Sequence, residues 1–556
     1  MTTSLRNRLA VPAAALLLAL GACADDPTGP RARAGGASMN EVGAAAFNGF
    51  IRIGVVPATS IVRIGSEGAY TVRNKVTGEP IVSGSGETLE VSLGSELVTR
   101  TSMRLQVSCI FTADPPTDFL ARAQALGYAT HTVQITTSSG AKCWRVYLGD
   151  YPMGTSWSIR EAFRQRAIAD GLARTDAFWP WGGVTVTEGV LRYDVRRGAE
   201  VFSSSNAVVL QSADGLVTIS DGTRPEPTVR RRYRGLAEVA LNSTGTLAGI
   251  NELPFEQYLY GVVPRELPPT VWPQAEAQKA QAVAARTWGL ASYNKRAADG
   301  YNLRATTDDQ VYGGYNAEHP VSSAAVDATA GVVAKHAGKL ITAYFSSTSG
   351  GYTAGYEEWL DGAAPIAYLQ AVPDAERGEA FSRVPSLEVF KSHPNPTSLR
   401  AAGEGDYESD WSRYHRWTFE WSAAEISAVI SRHAQRDVGR VLEINVLERG
   451  PSGRVLVIEY VTENGIFRST RNGIRSSLQF INASGAYENL RSTLFFIEPV
   501  KDPRTREVVG FKAYGGGWGH GVGLSQTGAA GMATRGRSYD EILRHYYQGI
   551  DLVREY

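Results

Sequence analysis

The sequence predicts an α+β fold in which β-rich regions surround a short helical segment, with a small α+β domain inserted near residue 103. Three observations predict it: short apolar runs separated by glycine turns, an alanine-rich helical pattern after residue 272, and a β-α-β-β-α order at 103–176. The 556 residues, 43% of them hydrophobic, allow several cores. The 56 basic residues balance the 56 acidic ones, so charge does not favour nucleic acid as a partner.

The N-terminus is typical of an exported protein. A basic stretch precedes an apolar run at residues 9–20, which is too short to span a membrane and fits a secretory signal. The run ends in the letters LGAC, which resemble a bacterial lipobox. We therefore expect residues 1–23 to form a lipoprotein-type signal peptide, Cys23 to be lipidated, and residues 24–46 to form a flexible linker. An ordinary signal peptide with a chance cysteine is the alternative.

Export has two further consequences. Cys109 and Cys143 could form a disulfide, although two free buried thiols are the alternative. Ala24 follows the lipobox cysteine where an inner-membrane lipoprotein would have aspartate. We therefore expect a lipid-anchored protein of the cell envelope, at the outer membrane and in the periplasm where the cell has them.

Along the chain, residues 47–102 predict a β-rich region with glycine-turn hairpins. Residues 103–178 predict a ferredoxin-like βαββαβ domain, whose second helix ends at Gly171. Its pattern and the stretch WRVYLGDYPMGTSWSIREAF resemble a SPOR domain, a fold that binds peptidoglycan strands without stem peptides. An unrelated ferredoxin-like insert is the alternative. Residues 180–556 form the main domain, with an α+β arm at about 370–480.

One acidic side chain lies in an apolar, proline-bounded turn. Glu266 stands within GVVPRELPP, and Pro264 and Pro268 stiffen the chain on both sides. Burial against apolar groups raises the pKa of a carboxyl group, and such an acid can donate a proton near neutral pH. A solvated loop glutamate is the alternative.

The helix that follows is predicted to begin at Trp272-Pro273, with proline at its first position. Its spacing places small residues on one face and Lys279, Val283 and Arg286 on another. These two cations could line a site, and a surface stripe is the alternative. Later segments are rich in hydroxyl groups and glycine, above all YGGGWGHGVGLSQTGAAGM at 514–532, where missing Cβ atoms let the backbone approach a ligand. Walker, dinucleotide-binding, G-x-S-x-G and H-E-x-x-H patterns are absent from the sequence.

Five motifs in order, YLYGVVPREL, AQKAQAVAARTWGL, DDQVYGG, STSGG and GGGWGHGVGLSQTGA, resemble the SpoIID/LytB family. The characterised SpoIID members are lytic transglycosylases that act on peptidoglycan strands denuded of stem peptides. The resemblance implies that Glu266 is the catalytic residue. The substrate-binding positions that it implies are Lys279, Arg286, Gln310, Tyr312, Ser349, Gly350, Gly351, Trp518, His520 and Gln526.

The resemblance also implies a reaction. One glutamate would protonate the bond between N-acetylmuramic acid and N-acetylglucosamine and then close a 1,6-anhydro ring, without the second carboxylate that hydrolysis needs. Some members carry a Cys-x4-His-Cys zinc cluster, but the matching positions here are Arg304, Asp308 and Asp309, which cannot form that soft-ligand site. We expect neither this zinc nor a cofactor.

Two other functions remain open. Some members are named amidase enhancers, so the protein could grip denuded glycan and recruit an amidase, or divisome and envelope proteins, without cutting. A hydrolytic muramidase is the other alternative, with Asp308, Asp309, Glu357 or Glu358 as the second carboxylate.

Overall fold

The computed structural model describes residues 47–137, 139–222, 231–376, 386–392, 406–408, 412–482 and 484–556. The chain has a mixed α+β fold with several separate sheets, as the sequence predicts. The expected signal peptide, the lipidated Cys23 and the linker lie outside the described residues. None of the helices in those ranges has both the length and the apolar character that a membrane crossing needs.

The helices in the described ranges are α1 (Thr117–Ala125), α2 (Trp157–Ala169), α3 (Phe255–Glu266), α4 (Ala275–Ala291), α5 (Pro320–Ala328), α6 (Leu387–Ser392), α7 (Ala423–Ala434), α8 (Gly473–Ser477), α9 (Gln526–Thr534) and α10 (Tyr539–Tyr546). The strands are β1 (Phe50–Thr59), β2 (Ile61–Gly65), β3 (Ala69–Asn74), β4 (Pro80–Ser85), β5 (Thr88–Ile110), β6 (Thr130–Thr136), β7 (Lys142–Tyr151), β8 (Val184–Arg197), β9 (Glu200–Ser204), β10 (Val208–Asp221), β11 (Arg232–Leu241), β12 (Leu247–Pro254), β13 (Leu303–Arg304), β14 (Val332–His336), β15 (Lys339–Leu340), β16 (Phe345–Ser346), β17 (Trp417–Ser422), β18 (Val441–Arg449), β19 (Val455–Thr462), β20 (Gly465–Thr470), β21 (Phe480–Ile481), β22 (Tyr487–Glu488), β23 (Phe495–Lys501), β24 (Val508–Gly515), β25 (Leu524–Ser525) and β26 (Asp551–Arg554).

The first compact unit contains the described residues up to Ser92, Val195–Phe202 and Asn206–Tyr556. In its N-terminal part, β10, β11 and β12 form an antiparallel meander, and β12 also pairs with β1. The other edge of strand β1 pairs in parallel with the short strand β13. This pairing fixes the start of the loop 305–314, which reaches the candidate site.

The second compact unit contains Leu93–Asp194 and Ser203–Ser205. Its elements β5, α1, β6, β7 and α2 follow the predicted β-α-β-β-α order, and β7 lies antiparallel between β5 and β6. The unit extends beyond the predicted range 103–178, because it begins within β5 at Leu93 and includes β8 as far as Asp194. Its likeness to a SPOR domain stays a prediction.

The cysteines of the second unit lie on adjacent strands. Cys109 is on β5 and Cys143 is on β7, and the two form a disulfide whose Cα atoms are 5.6 Å apart. The bridge closes a loop of 34 residues in sequence that contains helix α1. A cross-link of this kind stabilises a small domain chiefly by restricting its unfolded chain.

The predicted arm is an α+β block with its own core. Helix α7 begins with a capping box in which Ser422 and Glu425 exchange side-chain and backbone hydrogen bonds. Its apolar face packs with residues of the meander β18-β19-β20 and of the sheet β17-β24-β23. Because β23 and β24 complete this core, the block continues past the predicted limit of about 480 to residue 515.

Two sequence predictions about the central helices are wrong in detail. Glu266 does not lie in a turn, because helix α3 continues through Pro264 and ends at Glu266. A proline in the last turn removes one backbone donor without ending the helix. Helix α4 begins at Ala275, with Gln274 as its N-cap, so Pro273 is not its first residue.

Candidate active site

Glu266 is the last residue of helix α3, and 6% of its surface is exposed. Gly261, one turn and a half earlier, lets this helix approach the aromatic ring of Tyr312, since a Cβ at that position would lie 2.5 Å from the ring. The helix therefore sits deep enough to carry its terminal carboxyl group into the protein.

Gln278 of helix α4 fixes the connection after Glu266. Its side chain is fully buried, and its Nε2 donates to the carbonyl oxygens of Leu267 at 2.8 Å and Trp272 at 3.0 Å. The Oε1 of the same side chain accepts from the Ser322 hydroxyl at 2.7 Å. With its hydrogen bonds satisfied inside the core, this amide holds the end of α3 in one position.

The carboxyl group of Glu266 receives few hydrogen bonds. The backbone N–H of Val311 donates to its Oε1 at 2.9 Å. Burial raises the pKa of Glu266 to about 7, while the Val311 N–H, a hydrogen bond from the Gln526 side chain and the charge of Arg265 act in the opposite direction. A carboxylic acid with this pKa carries a proton for part of the time at neutral pH and can donate it.

Gln310 and Tyr312, which were predicted to bind substrate, lie on either side of Val311 with buried side chains. Gln310 is 1% exposed and accepts from the Tyr258 hydroxyl at 3.1 Å. Tyr312 is 4% exposed, and its hydroxyl donates to Asn251 at 2.9 Å. Because both side chains point into the core, they hold the Val311 N–H against Glu266.

The positions that match the zinc cluster of some SpoIID proteins take part in ion pairs. Asp309 lies 2.6 Å from Lys295 and 3.2 Å from Arg296, and Arg304 lies 3.4 Å from Asp308. Asp309 has no exposed side-chain surface and stands next to the two cations. It therefore stabilises the loop and is not placed to act as the second carboxylate of a hydrolase.

Arg286 and Lys279 were predicted to line the site, and the structure places Arg286 in the protein interior. Its guanidinium is fully buried and forms two hydrogen bonds with Glu256, at 2.8 and 2.6 Å. Helical spacing predicted the face correctly, but helix α3, which carries Glu256, covers that face. Lys279 is partly exposed and pairs with Glu276 at 2.7 Å on its own helix.

A second buried glutamate, Glu408, organises the predicted STSGG loop. Three consecutive backbone N–H groups of the loop donate to its carboxylate: Ser349 at 3.0 Å, Gly350 at 2.6 Å and Gly351 at 3.1 Å. The Ser525 and Thr527 hydroxyls donate at 2.9 and 3.1 Å. We call these five donors and the carboxylate the Glu408 cradle.

Ser349, Gly350 and Gly351 were predicted to bind substrate, and the structure places their backbone donors on the Glu408 carboxylate. All three residues are buried, and their backbone donors bind an anion that belongs to the protein itself. Consecutive N–H groups form a concave anion site, and here the occupant is Glu408.

The charge in the cradle is balanced by a histidine. His415 Nδ1 lies 3.0 Å from Glu408, and His415 Nε2 lies 3.1 Å from Asp406. Although burial acts to raise it, the hydrogen bond and charge of His415 lower the pKa of Glu408 to about 2. Burial and the charge of Glu408 raise the pKa of Asp374, whose carboxyl accepts from Ser349 Oγ at 2.9 Å.

The cradle is connected to Glu266 through helix α9. Ser525 and Thr527, which both donate to Glu408, flank Gln526 in the sequence. The Gln526 side chain is 5% exposed, hydrogen-bonds to Glu266 and donates to the buried Gln281 at 3.4 Å. The predicted site residue Gln526 therefore lies at Glu266, and two neighbours fix its backbone.

The glycine-rich loop at 514–523 is shaped by the chain that it packs on. Gly517 and Gly519 have φ angles of 83° and 106°, which favour glycine. A Cβ at Gly517 would lie 2.8 Å from the carbonyl oxygen of Ser349, and one at Gly519 would lie 2.8 Å from the Ser346 Cβ. At these two positions the missing side chain allows close packing within the protein, where the sequence had predicted approach to a ligand.

Trp518 and His520 have different surroundings in this loop. Trp518 is half-buried, and its ring lies 4.2 Å from that of Tyr414. His520 is 7% exposed and stacks on Trp359 at 4.6 Å. Its Nδ1 accepts from the backbone N–H of Val522 at 3.0 Å, so the ring is held in place by its own loop.

Direct contacts connect the glycine-rich loop to the Glu266 site. Ser346, which lies against Gly519, pairs with Ser525, and Gln526 comes next in the sequence. Glu358, another proposed second carboxylate, is 1% exposed and accepts from the Ser452 N–H at 3.2 Å, which marks it as structural. Among the proposed carboxylates, Glu266 therefore combines burial, few donors and proximity to the glycine-rich loop.

Two segments of the chain match known protein families. Residues 243–336 match the SpoIID family, described as stage II sporulation protein. The SpoIID match contains helices α3 and α4, Glu266 and the 309–312 loop. Residues 355–523 match a second family, described as a domain of unknown function (DUF8618). That match contains Glu408, His415, Trp518 and His520, whereas the five donors of the Glu408 cradle lie outside both matches.

Relatives of known name agree with the SpoIID match. The chain is 30% identical over 319 residues to an amidase enhancer of Bacillus subtilis, covering 53% of this chain and 40% of that protein. It is 26% identical over 318 residues to the stage II sporulation protein D of Bacillus amyloliquefaciens, covering 54% of this chain and 75% of the relative. The chain is also 28% identical over 327 residues to an uncharacterised protein of Brachyspira hyodysenteriae, covering 58% of this chain and 72% of that protein. The chain thus spans less than half the length of the amidase enhancer.

Proposed function

We propose that this protein is a lytic transglycosylase that cleaves the β-1,4 bond between N-acetylmuramic acid and N-acetylglucosamine in denuded peptidoglycan strands. The SpoIID match and the relatives' names support a role in the cell wall at the level of the family. The observation that carries the enzymatic proposal is the Glu266 carboxyl group, which is buried at a helix end with a pKa of about 7.

In the first step Glu266 donates its proton to the glycosidic oxygen. The bond from that oxygen to C1 of the muramic acid breaks, and its electron pair stays with the leaving oxygen. C1 becomes an oxocarbenium-like centre, and Glu266 becomes a carboxylate that the Val311 N–H and the Gln526 side chain stabilise. General acid catalysis of this kind contributes about 10²–10⁴-fold to the rate.

In the second step the Glu266 carboxylate acts as a base. It takes the proton of the C6 hydroxyl of the same muramic acid while the C6 oxygen forms a bond to C1. The products are a 1,6-anhydro end and a free 4-hydroxyl on the neighbouring sugar, and Glu266 regains its proton. Water is not consumed, so one carboxyl group suffices, in contrast to paired-acid hydrolysis.

A second function is favoured by the relative named amidase enhancer. In that case the protein would bind denuded glycan and stimulate an amidase without cutting the strand. The two functions differ in what Glu266 must do, since a binding protein does not need a proton donor at that position.

The test is digestion of amidase-treated peptidoglycan by the full chain, followed by mass spectrometry. Fragments that are one water lighter than reducing sugars, and that disappear with Glu266→Gln, are the expected result. Reducing ends would indicate a hydrolytic muramidase. Uncut strands that remain bound, together with faster turnover by an added amidase, would overturn the enzymatic proposal in favour of the enhancer.

Two further proposals concern the parts of the chain outside this site. We propose that Cys23 carries a lipid anchor at the outer membrane and that residues 103–178 bind denuded glycan as a SPOR-like domain. Cys23→Ser should move the protein from the detergent phase to the aqueous phase in a phase-partition assay. Deletion of residues 103–178 should weaken binding to denuded strands, and unchanged binding would remove the SPOR-like assignment.

A further inference from the structure

A cluster of two arginines and several aromatic rings lies beside Trp518. The guanidinium carbon of Arg491 is 4.7 Å from the ring centre of Tyr414 and 5.2 Å from that of Trp518. Arg413 lies on the same tyrosine, also at 4.7 Å. The rings of Phe419 and Phe480 complete the surroundings of Arg491 at 5.6 and 5.5 Å. We call Arg413, Tyr414, Arg491 and Trp518 the arginine-aromatic cluster.

Within the described residues, the cations of this cluster have no salt-bridge partner, although the charge of Glu488 acts on Arg491. Neither Arg413 nor Arg491 forms a salt bridge with any residue in the described part of the chain. Glu488, the acid that influences Arg491, accepts a hydrogen bond from Asn482 at 2.6 Å. In contrast, Arg286 and Glu256 pair fully within the core of the same unit.

Arg491 is also removed from water. Burial lowers the pKa of Arg491 from its ordinary value, and the neighbouring charge of Arg413 acts in the same direction, although an arginine remains a cation. A half-buried cation without a direct salt bridge is costly to hold, and a carboxylate ligand would compensate it. The half-buried rings of Tyr414 and Trp518 add flat faces of the kind on which a sugar can pack.

The cluster belongs to the same surface as the glycine-rich loop. The backbone N–H of Gly519 donates to the carbonyl oxygen of Arg491 at 3.0 Å, and Trp518 pairs with Thr348 through its backbone. Through Ser346 and Ser525 this loop leads to Gln526 and from there to Glu266. A glycan strand whose scissile bond lies at Glu266 would extend to neighbouring sugar-binding positions. The glycine-rich loop, which carries Trp518 of the cluster, would form one of these positions.

We propose that Arg491, with Arg413, binds a carboxylate of the glycan, and that this carboxylate is the lactyl group of a muramic acid residue without a stem peptide. The inference rests on the proposed function and adds a specificity site to it. In a denuded strand the lactyl group ends in a free carboxylate that can form a charge-assisted pair with a guanidinium. In a peptide-bearing strand the same carbon is part of a neutral amide, so the pair is lost.

Binding to the full chain with Glu266→Gln tests this inference without cleavage. Denuded glycan strands are compared with oligomers of N-acetylglucosamine, which lack the lactyl carboxylate. Arg491→Gln should weaken binding of denuded strands about tenfold or more, as expected for loss of a charge-assisted contact, and leave the oligomers unchanged. Arg413→Gln, at an exposed position, should give a smaller loss with the same selectivity.

Arg432→Gln is the matched control, because Arg432 stacks on Tyr487 at 4.7 Å in the same α+β block. It should leave both ligands unaffected. An equal loss for both ligands, or no loss with Arg491→Gln and Arg413→Gln, would overturn the inference. If wild-type protein does not cut denuded strands but keeps the arginine-dependent selectivity, the lytic proposal falls and this binding site stands.

Discussion

Glu266 and Glu408 are both buried glutamates, 6% and 0% exposed, yet their protonation differs. Glu266 receives one backbone N–H, from Val311 at 2.9 Å, and a side-chain hydrogen bond from Gln526. Glu408 receives three backbone N–H groups and two hydroxyls and lies against His415. The pKa of Glu266 rises to about 7, and that of Glu408 falls to about 2.

The difference shows that burial alone does not decide what a carboxyl group does. Removing water disfavours the charged form, and hydrogen-bond donors and a nearby cation restore it. Glu408 has enough donors to remain an anion and therefore organises loops. Glu266 has too few, so it keeps a proton near neutral pH and is suited to acid catalysis.

The largest expected effect is on activity. Glu266→Gln removes the proton donor and should lower cleavage of denuded strands about 10³-fold, measured by the release of anhydro ends. Asp308→Asn and Glu357→Gln are the controls and should keep the wild-type rate. A comparable loss in either control would favour two-carboxylate hydrolysis and contradict a single acid at position 266.

The second-largest expected effect is on the stability of the protein and concerns Glu408. Glu408→Gln removes the anion that binds the 349–351 loop and His415 Nδ1, leaving Asp406 on His415 Nε2, and should lower the free energy of unfolding by about 3 kcal/mol or more at pH 7. The folded-state pKa of Glu408 is lowered to about 2, so its contribution to stability is present above the ordinary value of 4.5 and is lost as the pH falls towards 2. Chemical denaturation over this range measures it.

The control for the cradle is Glu425→Gln, at the exposed capping box of helix α7. Ser422 remains the N-cap and glutamine at N3 can also complete a capping box, so this change should lower stability by less than about 1 kcal/mol. If Glu408→Gln were no more destabilising than this control, the cradle would not organise the loops as described.

The contribution of Glu266 to stability should change with pH in the opposite direction to that of Glu408. Its folded-state pKa is raised to about 7, so its contribution to stability is present below 4.5 and is lost as the pH rises through 7. Glu266→Gln should therefore leave stability unchanged at pH 4 and increase it by up to about 3 kcal/mol above pH 7. Thermal or chemical unfolding at both pH values checks this, and a pH-independent difference would contradict it.

The smallest effect concerns the hydrogen bond from Gln526. Gln526→Ala removes an interaction that lowers the pKa of Glu266, so the alkaline limb of the pH–activity profile should move up by about half a unit. Gln526→Glu, which keeps the length of the side chain but adds a like charge, should move the limb further in the same direction. A limb that stays in place in both variants would mean that Gln526 does not contact Glu266 in solution.

Much of the fold was predictable because its signals are local. The strand and helix at 417–434 follow from apolar alternation and a capping box, and the β-α-β-β-α order of the second unit follows from periodicity and glycine stops. Glu266 could be singled out because prolines and apolar residues surround it in the sequence. Its place at a helix end was missed, since proline was assumed to end the helix.

The rest of the site depends on contacts between distant segments. The donors to Glu408 come from residues 349–351 and 525–527, and no pattern in the sequence connects them to it. Periodicity placed Arg286 on a helix face but could not show that Glu256 covers that face. The arginine-aromatic cluster was missed for the same reason, because Arg491 and Tyr414 are far apart in the sequence.

The central claim is that the carboxyl group of Glu266 stays protonated near neutral pH. The most direct measurement is a pH titration by NMR of the full chain with ¹³C-labelled glutamate side chains, in which Glu266→Gln identifies the signal. The account predicts a midpoint of about 7 for Glu266. A midpoint at the ordinary value of 4.5 would contradict it, because the group would then be a carboxylate at neutral pH and could not serve as the acid.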